Sequence, residues 1–183
     1  HNIQNSLLAA SIGLELDIPF PAIQDGLGKF SGVYRRFDLK GEAGGITIYD
    51  DYAHHPTEII ATLEGFKDSA KRRIVALFQP HLYSRTRDFY EEFGKSFFSC
   101  DCLILAPIYP AREQPIPGIS SKLIADAAIQ SGHHNVHLIN SNSEIVSKTL
   151  ALLKEGDILI TMGAGNIWQY GEEILRQLKN YVD

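Results

Sequence analysis

The chain has 183 residues, enough for one medium domain or one domain with part of a neighbour. Its 44% hydrophobic and 21% charged residues are ordinary for a globular protein. The formal net charge of -5 argues against a nucleic-acid partner, and no apolar run approaches the roughly 20 residues that cross a bilayer.

A cytoplasmic protein acting on a small molecule or another protein is therefore expected, since nothing at the start reads as a signal peptide. The chain opens on His1 and its single Met is Met162, so it is expected to be a piece of something longer. Ile3, Leu7, Leu8, Ile12 and Leu16 predict a helix over residues 3–16. A second short helix is predicted to start near Pro21 and to end at Gly26 and Gly28. Two short helices cannot bury a core of their own, so they are assigned to a domain whose main body lies upstream.

A linker is expected over residues 31–36. The segments "FDLKGEA" and "ITIYD" flank Gly44 and Gly45 and read as a β-hairpin that opens a second domain. Beyond Asp51, short apolar runs at 74–78, 102–106, 136–139 and 157–161 alternate with helical patterns. That order implies an α/β fold with a doubly wound, mostly parallel sheet. Ser141 and Glu144 have the spacing of a capping box for the helix near Ile145. Cys100 and Cys102 are expected to be reduced packing residues, and His133 and His134 to be solvated in a loop.

In an open parallel sheet, ligands bind beyond the carboxyl ends of the strands, where strand order reverses. That rule selects "DDYAHHP", "QPHLYSRTRD", the proline-rich loop 107–120 and "MGAGN". Helix capping accounts for Pro56, Thr57 and Glu58. It does not account for Asp51, Tyr52 and His54, which are costly to bury without partners. His81, Arg85 and Arg87 follow an apolar strand, and an arginine fork suits a carboxylate or phosphate, so an anion receptor is expected. Gly163 and Gly165 are expected to permit close backbone approach, because no third glycine stands in register for a dinucleotide. His54, His55 and His81 do not make a convincing zinc set, since adjacent histidines diverge and no further ligand completes it.

Taken together, "HNIQN", "YRRFD", "DDYAHHPTEI", "FQPHLYSRTRDF", "YPAREQPIPG" and "TMGAGNI" resemble the Mur ligases, the ATP-dependent amino-acid ligases of peptidoglycan synthesis. Within them the likeness is to the ADP-forming branch that joins L-alanine to UDP-N-acetylmuramate through an acyl phosphate. The resemblance implies three domains in series. Residues 1–34 would be the last helices of the central ATPase domain, and 35–183 a Rossmann-like domain that brings the amino acid. It further implies that His1, Asn2, Arg36 and Asp51 contact ATP, and that Tyr52, His54, His81 and Arg85 hold L-alanine, with Arg85 on its carboxylate. His54 would serve the incoming amine, either as base or by orienting it. Mg²⁺ would be bound mainly by the central domain.

Many family members carry an arginine where this chain has Leu82. No G-x-x-x-x-G-K-[ST] pattern occurs, so the chain alone is expected to be inactive. Two other readings stay open. One is the branch that attaches a recycled tripeptide to the same sugar nucleotide, which shares "HHPT" but tends to lack the "FQPH" and "YSRTRD" run. The other is a non-catalytic flavodoxin-like binding module.

Overall fold

The computed structural model describes residues 2–30, 32–69 and 71–180 and divides into two compact units, His1–Val33 and Tyr34–Asp183. In the first, α1 (Asn2–Glu15) and α2 (Phe20–Lys29) are joined by a tight turn. Asp17 takes a left-handed φ of 56°, and the Ile18 N–H reaches back to the Gly13 carbonyl at 2.9 Å, a closure that satisfies the last carbonyls of a helix. Ile23 of α2 packs over Gly13, where a β-carbon would stand 2.8 Å from its Cδ1.

Contrary to expectation, α2 does not stop at Gly26 or Gly28. It runs through both to Lys29, whose Nζ bonds to the Asp25 carboxylate at 2.7 Å. A glycine weakens a helix by about 1 kcal/mol relative to alanine but leaves its hydrogen bonds in place, so it ends a helix only where the chain also turns.

The second unit opens with β1 (Asp38–Ala43) and β2 (Ile46–Asp51), a hairpin as the sequence predicts. Its two-residue turn has φ of 56° at Gly44 and 72° at Gly45, the left-handed pair that matches the twist of the flanking strands. Then follow α3 (Pro56–Ser69), β3 (Ile74–Phe78), α4 (Tyr83–Lys95), β4 (Cys102–Leu105), α5 (Lys122–Gln130), β5 (Val136–Leu138), α6 (Ile145–Leu152), β6 (Ile158–Met162) and α7 (Ile167–Asn180). The strands form a sheet in the order β1-β2-β6-β3-β4-β5, parallel except for the β1–β2 pair.

Alternate residues of the strands feed two cores. Ile74, Ala76, Phe78, Leu103, Leu105, Ile158 and Ile160 pack against α3, α4 and α5 through residues such as Leu63, Phe93 and Ile124. Val75, Leu77, Ile104, Leu159 and Ile48 face Ile145 of α6 and Ile167 and Ile174 of α7. Both faces are covered, which is why β3, β4 and β6 read as unbroken apolar runs. No described helix is long and apolar enough to cross a membrane.

The insertion of β6 between β2 and β3 positions the site. Chain order moves from β2 past that gap to β3, β4 and β5 and then returns, so the loop after β6 lies between the loops after β2 and β3. The Gly163 N–H bonds to the Asp51 carbonyl at 3.2 Å, and the Gln79 N–H to the Met162 carbonyl at 3.0 Å.

Two smaller expectations are corrected. His133 is buried, not solvated: its Nε2 lies 3.2 Å from the Cys100 carbonyl, and its Nδ1 accepts from the Asn135 N–H at 3.3 Å. Cys100 and Cys102 are free, buried thiols, one in each core. The Ser141 hydroxyl caps a single 3₁₀ turn, Asn142–Glu144, ahead of α6, so Glu144 pairs forward with Lys148 at 3.1 Å and no reciprocal capping box forms.

Candidate functional site

The strand end at Asp50 and Asp51 sends two consecutive carboxylates to opposite faces, and both are buried. Each must therefore be satisfied inside. Asp51 accepts the Phe37 N–H at 3.0 Å and the Ala53 N–H at 2.8 Å, which ties the segment before β1 to the end of β2. Burial pushes its pKa up, against the pull of those two backbone bonds. Asp50 receives the Arg35 Nε at 2.7 Å and the Thr161 hydroxyl at 2.7 Å.

Arg35 is the hub of this end of the sheet. Its Nη2 donates to the Gly163 carbonyl at 2.6 Å, its Nη1 to the Gly165 carbonyl at 3.2 Å, and its guanidinium lies 5.0 Å over the Tyr52 ring. Its φ is 61°, a left-handed conformation that the surrounding bonds hold in place. The family resemblance points to Arg36, which is exposed, and not to the buried Arg35. A signal was available: two adjacent acids at a buried strand end call for two sets of buried donors.

After β2 the chain enters α3 through Tyr52, Ala53, His54 and His55. Pro56 is the first helical residue, and the Glu58 carboxylate accepts the His54 and His55 N–H groups at 3.0 and 3.1 Å, so both serve the helix start as expected. The His54 Nδ1 lies 2.9 Å from the Tyr52 carbonyl. A carbonyl only accepts, so we assign the proton to Nδ1, which leaves the lone pair of a neutral ring on Nε2.

The loop after β3 brings His81 to within 6.0 Å of the His54 ring, centroid to centroid. His81 also stacks on Tyr109 at 5.8 Å, and its Nδ1 is buried without a hydrogen-bond partner among the described residues. Burial, with the Arg85 and His54 charges adding to it, lowers its pKa and keeps the ring neutral. Arg85 reaches the His54 carbonyl at 3.4 Å, a long bond that leaves most of its fork uncommitted. Arg87 is not gathered with it: it pairs with Asp88 at 2.7 Å, and both are exposed. Tyr52, His54, His81 and Arg85 thus lie along one edge, with Tyr52 40% exposed and its ring 5.1 Å from that of His54.

Gly163 and Gly165 close the third side. A β-carbon at Gly163 would stand 2.6 Å from the Gln79 carbonyl, and one at Gly165 would run into the Gln79 Oε1 and stand 2.6 Å from the Tyr109 Cγ. Close approach is what these glycines provide. Of the residues expected to contact a nucleotide, His1 lies outside the described residues and Asn2 is described only as the first residue of α1.

The family model described as "Mur ligase, glutamate ligase domain" matches residues 35–165. The chain belongs to the Mur ligase family. Among curated proteins it is 48% identical to the UDP-N-acetylmuramate–L-alanine ligase of Salinibacter ruber over 98% of its own length and 38% of that protein. It is 49% identical to the protein of the same name from a Geobacter species, over 98% of this chain and 39% of the relative. The chain therefore spans about two fifths of these relatives. The solved UDP-N-acetylmuramate-alanine ligase of Thermotoga maritima superposes with a TM-score of 0.80 at 22% identity, covering 99% of this chain and 38% of that one, a likeness of fold.

Proposed function

We propose that this chain is the amino-acid-binding part of an ADP-forming, cytoplasmic ligase that joins L-alanine to UDP-N-acetylmuramate, with residues 1–34 belonging to a preceding nucleotide-binding domain. The observation that carries the reading is the gathering of one uncommitted arginine fork and two imidazoles at a single strand edge, in a chain whose curated relatives bear that name. Arg85 binds the alanine carboxylate through paired charge-assisted hydrogen bonds. His54, with its lone pair on Nε2, takes a proton from the ammonium so that the amine can attack. His81, neutral, and Tyr52 line the same pocket and fix the direction of approach.

ATP fits the nucleotide side in part. Arg36 offers an exposed cation for phosphate oxygens, and the Asp51 carboxylate keeps lone pairs beyond those taken by Phe37 and Ala53 for a ribose hydroxyl. ATP supplies the phosphoryl group that activates the sugar-nucleotide carboxylate. In this reading Mg²⁺ is held mainly by the central domain.

The test is phosphate release by the full-length ligase carrying this sequence, with ATP, Mg²⁺ and UDP-N-acetylmuramate. L-alanine, glycine, L-serine and the L-Ala-γ-D-Glu-diaminopimelate tripeptide are compared as acceptors. Preference for L-alanine is expected. Preference for the tripeptide would reassign the protein to peptide recycling, and silence with every acceptor would sink the ligase reading.

A further inference from the structure

The helix that carries Arg85 has no cap of its own. Residue Leu82 occupies the N-cap of α4 with φ 73° and a side chain that accepts nothing, so the first-turn N–H groups have no local acceptor. A residue 29 positions beyond Ser84 fills the place: Glu113 accepts the Ser84 N–H at 3.0 Å with one carboxylate oxygen and the Ser84 hydroxyl with the other. Ser84 immediately precedes Arg85.

The loop bearing Glu113 is itself docked against the same segment. The Tyr109 N–H bonds to the Pro80 carbonyl at 2.8 Å and the Leu82 N–H to the Tyr109 carbonyl at 3.0 Å, a short parallel bridge beside His81. The chain then turns, with the Glu113 N–H on the Pro110 carbonyl at 2.9 Å, and delivers the carboxylate to the positive end of α4. The proline-rich loop thus grips both ends of the stretch from His81 to Arg85. Arg85, by contrast, has among the described residues a single hydrogen bond, the 3.4 Å contact to the His54 carbonyl, to orient it, so the placement of its backbone decides where its fork points.

We propose that Glu113 is a positioning residue of the amino-acid pocket, capping α4 from the proline-rich loop and so setting Arg85. This rests on the L-alanine reading above for the ligand, but the cap stands on the contacts alone. Because Arg85 serves the acceptor and not the nucleotide, the consequence is selective. In the full-length ligase, Glu113→Ala should raise KM for L-alanine about tenfold or more while KM for ATP stays within about twofold. Glu113→Gln, which keeps one acceptor oxygen for Ser84, should fall between the two.

A residue that merely supports the fold would lower the unfolding temperature and leave both KM values of the folded enzyme unchanged, or raise them together; either result overturns the proposal. Amide exchange at Ser84 in the 183-residue chain gives a second readout that needs no activity. It should quicken in Glu113→Ala and stay slow elsewhere in α4, and unchanged exchange overturns the cap. Wild-type enzyme that exchanges as expected yet ligates no L-alanine would sink the functional reading, and with it the assignment of Glu113 to an alanine pocket.

Discussion

Asp50 shows no exposed surface, so what it meets inside must offset the loss of its hydration. It meets Arg35 and the Thr161 hydroxyl, and Arg35 in turn satisfies the carbonyls of Gly163 and Gly165. Removing one partner of such a pair leaves a buried charge exposed to low dielectric, which costs on the order of 3–5 kcal/mol. Arg35→Ala should therefore lower the unfolding free energy by about that amount in urea titration. Replacing both, as in Arg35→Met with Asp50→Leu, should recover part of the loss, because no charge is stranded. If Arg35→Ala unfolds within about 0.5 kcal/mol of the parent, the pair does not hold the strand ends together.

At the scale of elements, what was legible in the sequence was what local pattern determines. The strand Ile74–Phe78 was readable because both its faces are covered, and the hairpin because Gly44 and Gly45 supply the left-handed turn. The end of α2 was not, because Gly26 looks like a stop but behaves as a weak helical residue. That gives a prediction: a β-carbon at Gly26 meets nothing within 4 Å, so Gly26→Ala should raise the stability of the helix by roughly 0.5–1 kcal/mol, read as increased helicity and a higher unfolding temperature. An unchanged or lower temperature would mean that Gly26 has a packing role. The site was legible only as a set of loops. The rule that ligands sit beyond strand carboxyl ends selects the loops that carry Tyr52, His54, His81 and Arg85, whereas the Arg35–Gly163 and Glu113–Ser84 contacts span 128 and 29 residues and follow from no spacing.

For the molecule as a whole, these burial patterns set the sign of its response to acid. His81, facing Arg85, His54 and Glu113, and His133, facing the Cys100 carbonyl, His134 and Asp101, are both held below their usual 6.5, chiefly by burial. Between that value and their lowered ones, the unfolded chain binds protons that the folded chain refuses, so stability must fall as pH falls below 6.5. Asp51 works the other way, since burial raises its pKa, but its relief comes as pH approaches the carboxylate range and so follows the histidine loss. The lowered carboxylate of Glu113 adds a further loss in that same acid range, when the Ser84 cap is protonated away. Unfolding midpoints at pH 7.5, 6.5 and 5.5 should therefore decline in order, and the double variant His81→Asn with His133→Asn should flatten the decline. A flat profile in the parent would mean that both rings are solvated enough to charge in place. His81 would then carry a positive charge beside Arg85, and the alanine pocket would present two cations where the proposed chemistry uses one.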